Sequence, residues 1–67
     1  MTDPHEMLTN YGVRDPAFVL ALAARLSVFI DTETGEFIFA ARRVGEPEHE
    51  VRVHATLVEA IARAASL

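Results

Sequence analysis

Apolar residues fill nearly every position from Ala17 to Ile30, with Arg25 and Ser27 the only polar members. A surface helix of a small domain shows one apolar stripe and one polar face. A chain of 67 residues has little core with which to surround a helix on all sides. The pattern therefore predicts a partner for the back of this helix, most simply a second copy of the chain. Sorted by helical angle, Phe18, Val19, Leu22 and Leu26 share one side, with Ala23 at its edge, and predict the core face. Ala17, Leu20, Ala21 and Ala24 lie on the other side and predict a homodimer seam, because small side chains let another helix approach closely.

The boundaries of the helices are written in their capping residues. Asp3-Pro4-His5-Glu6 sets an N-cap, a proline at the first helical position and a glutamate three residues after the cap. Asn10-Tyr11-Gly12 ends that short helix, with Gly12 free to turn left-handed. Asp15-Pro16 starts the second helix, which is predicted to run to about Leu26 or Ser27. Near the other end of the chain, Thr56-Leu57-Val58-Glu59 reads as a capping box. It opens a helix whose apolar stripe is Leu57, Val58, Ile61, Ala64 and Ala65, with Glu59 and Arg63 paired on its exposed face.

Between these helices the period changes. Val28-Phe29-Ile30 and Phe37 to Arg43 have the β-branched and aromatic composition of strands, joined by the turn Asp31 to Glu36. A four-residue loop, Thr32–Gly35, pairs Ile30 with Phe37 and places Phe29 and Ile38 on the opposite face. His49 to His54 alternates as a third strand, Val51 and Val53 on one side and Glu50, Arg52 and His54 on the other. A five-residue loop, Val44–Glu48, pairs Ala41 with Val51 and Phe39 with Val53, keeping the large apolar groups together. The fold expected is α+β in two layers. A three-stranded antiparallel β-meander packs against helices in the order α(α)βββα, as a single domain over residues 1–67.

Charge and composition narrow the function. A net charge of −4 argues against a general nucleic-acid binder, since phosphate contacts need clustered cations. There are no cysteines, which removes thiolate chemistry, disulfides and cysteine-based zinc sites and favours the cytoplasm. All six basic side chains are arginine, in an alanine- and valine-rich chain, a bias found in GC-rich bacterial or phage genomes. The N-terminal residues lack the basic and apolar regions of a signal peptide, and the run Ala17–Ile30 is too short to span a bilayer.

No catalytic site, metal site or cofactor is expected. His49 and His54 are five apart on a predicted strand, so they fall on opposite faces and do not share a metal. Glu46, Glu48 and Glu50 around His49 form an acidic turn with no pocket to perturb a pKa. There is no phosphate-binding glycine loop and no zinc-protease motif. Two features remain. Arg42, Arg43 and Arg52 are the only basic grouping, with Arg42 and Arg52 on the outer sheet face. Phe29, Ile38 and Ala40 form an apolar cluster on that same face, and exposed apolar clusters mark interfaces.

The last helix and the strand before it carry a resemblance. Ala55-Thr-Leu-Val-Glu-Ala-Ile-Ala-Arg-Ala-Ala65 resembles the ending of HicB-like antitoxin domains, which share a Thr-Leu-x-Glu-Ala helix start, and is similar to the ending of small phage-encoded α/β sandwich proteins. The match covers roughly the last 30 residues. The order helix, three strands, helix is also similar to double-stranded-RNA-binding domains, which implies fold alone. Together these readings predict a non-enzymatic protein–protein interaction module, a small bacterial or phage regulator or inhibitor, acting as a homodimer. Its contact surface is expected at Phe29 and Ile38, rimmed by Arg42, Arg52 and His54. The alternative is a DNA-binding regulator or antitoxin-type domain using the arginines.

Overall fold

The computed structural model describes residues 3–66. Three helices and a three-stranded antiparallel sheet follow in the order ααβββα, an α+β fold. The elements are α1 (Pro4–Asn10), α2 (Pro16–Leu26), β1 (Phe29–Asp31), β2 (Glu36–Ala41), β3 (His49–His54) and α3 (Ala55–Ala65). No helix among the described residues is long and apolar enough to cross a membrane.

The first two helices start as their sequences dictate. The Asp3 carboxylate accepts the His5 N–H at 3.0 Å and that of Asp15 accepts the Phe18 N–H at 3.2 Å, each ahead of a proline at the first helical position. Both helices stop by the same device, a left-handed residue bracketed by two reverse hydrogen bonds. At the end of α1, Val13 N–H reaches the Leu8 carbonyl and Gly12 N–H that of Thr9, with Gly12 at φ +93°. At the end of α2, Val28 N–H reaches Ala23 and Ser27 N–H reaches Ala24, with Ser27 at φ +55°.

The sheet is a meander, with β2 in the middle. β1 and β2 pair Phe29 with Ile38, Ile30 with Phe37 and Asp31 with Glu36, the register expected from the four-residue loop. β2 and β3 pair Phe37 with Val53 and Phe39 with Val51. This differs from the expected register by two residues. The connection runs from Arg42 to Glu48, so Arg42 and Arg43 lie in the loop and not on the strand. An even shift keeps every side chain on its expected face, which is why the apolar alternation could not reveal it.

Phe37, Leu8 and Val19 are completely buried and form the core with Val13, Ala23 and Ala55. Phe18, Val28, Ile30, Phe39 and Val58 close around them. The helices thus cover the sheet face bearing Ile30, Phe37 and Phe39. Three expectations about facing are corrected here. Leu26, expected on the core face of α2, is 50 % exposed at the end of the helix. Leu20, placed on the back of α2, packs against the core, because α1 folds alongside α2 and wraps its flank. Helix α3 buries Ala55 and Glu59, leaving Leu57, Ile61, Ala64 and Ala65 outside. The capping box does not form. His54 is the N-cap of α3, two residues ahead of the expected Thr56, and Glu59 is turned inward.

Candidate interaction surface

Strand alternation commits Ile30 and Phe37 to the core, so their neighbours Phe29 and Ile38 must face outward, directly opposite each other on β1 and β2. Phe29 is 79 % exposed and no helix covers it; Ile38 is half-buried. With Ala40 and the side chains of His49 and Glu50 they border an open cleft of about 450 Å³. The apolar part of the surface expected from the sequence is therefore assembled on one face.

The polar rim is arranged differently. Arg52 lies opposite Ile38, with Glu36 and Glu50 as near neighbours on the same face. Its guanidinium donates to Asp31 Oδ2 at 2.9 Å and lies 3.7 Å from Glu36 Oε1 and 3.5 Å from Glu50 Oε2. The Arg52 hydrogen bond and the Glu33 N–H together hold the Asp31 carboxyl below its usual pKa. Arg52 is thus enclosed by carboxylates. Arg42 sits beyond the end of β2, four residues from the position opposite Arg52 and roughly 13 Å away at strand spacing. Arg42 and Arg43 instead border a shallow depression with Val44 and Gly45 at the exposed hairpin tip. The three arginines do not form one basic patch.

His54 serves the fold. Its Nδ1 accepts the Thr56 N–H at 3.3 Å and lies 2.8 Å from the Thr56 hydroxyl, capping α3. Its ring meets that of Tyr11 edge-on, with centroids 6.2 Å apart. Tyr11 in turn donates its hydroxyl to the Glu33 carbonyl and covers Gly35. These contacts tie the start of α3, the end of α1 and the β1–β2 turn into one corner.

Glu59, which the sequence paired with Arg63 on an exposed face, faces inward. It is only 3 % exposed. Its Oε1 accepts the Arg14 N–H at 3.0 Å and its Oε2 the Asp15 N–H at 2.8 Å. Arg63 lies 3.8 Å from it, 3.6 Å from Asp15, and over the Phe18 ring. The spacing Glu59–Arg63 was visible, but the two backbone donors lie 44 and 45 residues earlier, and no local pattern points to them. Each carboxylate oxygen accepts one backbone hydrogen bond, which ties α3 to the connection between α1 and α2.

On the helical side, Ala17, Ala21 and Ala24 are exposed on the back of α2, while Leu20 is partly covered. A second apolar feature lies between α2 and α3. Leu22 and Leu26 on one wall, Val58, Ile61 and Ala62 on the other, and Phe39 and Val53 on the floor enclose an open groove of about 300 Å³. Leu26 and Ile61 on its rims are 50 % and 59 % exposed.

No protein-family model, no curated protein and no solved structure matches this chain.

Proposed function

We propose that this protein is a non-enzymatic, cytoplasmic protein–protein interaction module, a small regulator or inhibitor that contacts its partner through the outer face of the sheet. The observation that carries this reading is Phe29, a large aromatic side chain left 79 % exposed beside Ile38 on an uncovered sheet face. Burying an aromatic ring of that kind contributes strongly to association, and aromatic anchors next to an apolar neighbour dominate interface energetics. The carboxylates and Arg52 around this pair supply a polar rim of mixed sign.

The DNA-binding or antitoxin-type reading has less support. Of its three arginines, Arg52 is enclosed by Asp31, Glu36 and Glu50 and carries no free positive field, leaving Arg42 and Arg43 at the hairpin tip. Affinity for phosphate scales with the number of cations that neutralise it.

The test is to compare the proteins captured from host extract by the wild-type chain, Phe29→Asp and Arg42→Glu, and to titrate each with duplex DNA by fluorescence anisotropy. Loss of a captured protein with Phe29→Asp, while circular dichroism shows the fold intact, is the expected result. Unchanged capture by Phe29→Asp, together with salt-dependent duplex binding abolished by Arg42→Glu, overturns it in favour of the DNA-binding reading.

A further inference from the structure

We propose that a second copy of this chain docks on the groove between α2 and α3, with Leu26 and Ile61 of each protomer seated against the groove of the other. This goes beyond the reading of the outer sheet face and uses the opposite side of the molecule.

The surface area argues that something docks. The chain exposes 4957 Å². A folded monomer of this mass exposes about 4,200 Å². The shape agrees. The Cα radius of gyration is 12.7 Å and the molecule is a slab 39 × 35 × 17 Å, whereas a compact domain of this length has a radius near 11 Å. The exposed loop from Arg42 to Glu48 accounts for part of the excess, but it is largely polar. The large apolar side chains left in water on the helical side are Leu26, Leu57 and Ile61, at 50 %, 53 % and 59 %, with Val51 at 40 % on the inner sheet face.

Charge argues that the occupant is a second copy. The chain carries ten carboxylates and a net charge of −4, so two copies repel unless they meet where acid is absent. Helix α2 has Arg25 as its only charged residue. Helix α3 has Glu59, buried against backbone donors, and Arg63, drawn to Asp15 and the Phe18 ring. Neither helix presents an exposed carboxylate. The groove itself is lined wholly by apolar residues, and depletion of charge is the compositional mark of an interface core. Shape completes the case. The same patch supplies protruding rims, Leu26 and Ile61, and a depression floored by Phe39 and Val53. With knob and hole on the same face, two copies can meet about a two-fold axis, each rim seated in the other's groove.

The experiment is light scattering from 1 to 100 µM, with wild-type, Ile61→Asp and Phe29→Asp proteins, alongside a methyl-NMR dilution series. Ile61 is largely in solvent in the monomer, so the aspartate leaves the fold intact, as circular dichroism will show. The wild-type chain is expected at twice the monomer mass, Ile61→Asp at the monomer mass, and Phe29→Asp still dimeric. On dilution, the methyl resonances of Leu22, Leu26, Val53 and Ile61 shift while those of Val13 stay fixed. The dilution series needs no substitution, so it decides the matter even if Ile61→Asp fails to fold. A wild-type monomer throughout overturns the proposal and leaves the groove to a different protein. A dimer that survives Ile61→Asp, or that dissociates with Phe29→Asp, moves the seam elsewhere and also overturns it. Loss of partner capture by Phe29→Asp without loss of the dimer separates the two proposals.

Discussion

The carboxylate of Glu59 holds the backbone N–H of Asp15 at 2.8 Å across 44 residues of sequence. With the companion bond from Arg14 N–H, it fastens the last helix to the connection between the first two. The same Asp15 caps α2 through its side chain, so one carboxylate aligns the start of a second helix. Each Glu59 oxygen accepts one of these bonds, and the pair offsets the burial of the carboxylate.

Removing that carboxylate leaves the N–H groups of Arg14 and Asp15 without their partners. Glu59→Ala is expected to lower stability by about 2–3 kcal/mol, in the range for buried hydrogen bonds to a charged group. In a domain of this size that is a large part of the whole. Glu59→Gln keeps one acceptor and turns an NH₂ toward the other donor, so it should fall between wild type and alanine. Urea denaturation of the three proteins checks the order. Equal midpoints would show that the clamp contributes nothing.

Two left-handed positions are expected to respond with opposite signs. Ser27 sits at φ +55° with a side chain that gains nothing there, so Ser27→Gly should stabilise by roughly 0.5 kcal/mol, the relief of strain less the entropy of a freer unfolded chain. Gly35, at φ +72°, is different. A Cβ there would stand 2.8 Å from Cγ of the Tyr11 ring, which packs over the turn. Gly35→Ala should therefore cost about 2 kcal/mol or more, through the backbone term and through displacement of the ring. Thermal melts read both changes, and a destabilised Ser27→Gly or a neutral Gly35→Ala contradicts this account.

The ion cluster at Arg52 predicts a pH dependence. Asp31 has its pKa lowered in the folded state, first by the Arg52 hydrogen bond and then by the Glu33 N–H. A carboxylate depressed on folding contributes stability that is present above its unfolded pKa and is lost as pH falls through its folded value. The contribution from Asp31 should thus persist to pH values below the ordinary carboxylate range. Arg52→Gln should raise the Asp31 midpoint toward the usual value near 3.8. Carboxyl-carbon NMR titration of Asp31 in both proteins measures it directly. The same midpoint in both would show that the pair at 2.9 Å does not hold in solution.

The sequence alone determined the elements, because their signals are local. Asp3-Pro4 and Asp15-Pro16 start helices by satisfying N–H groups within three residues, Gly12 ends one by accepting φ +93°, and the two-residue period of Ile30, Phe37, Phe39, Val51 and Val53 chose the inner sheet face. From these the α+β meander and the outward pair Phe29 and Ile38 were legible. What period cannot carry, only the tertiary structure decided. Shifting β3 by two residues leaves every face unchanged, so the pairing of Phe39 with Val51, and with it the separation of Arg42 from Arg52, was set by packing and loop length. The rotation of α3 was likewise invisible. An apolar stripe of Leu57, Val58, Ile61, Ala64 and Ala65 argued for one face, but two unpaired amides at Arg14 and Asp15 drew Glu59 inward instead. That rotation left Leu57 and Ile61 in solvent and opened the groove against α2. The two hydrogen bonds that hold the Glu59 carboxylate inside span forty-odd residues, and no local hydrophobic pattern registers them.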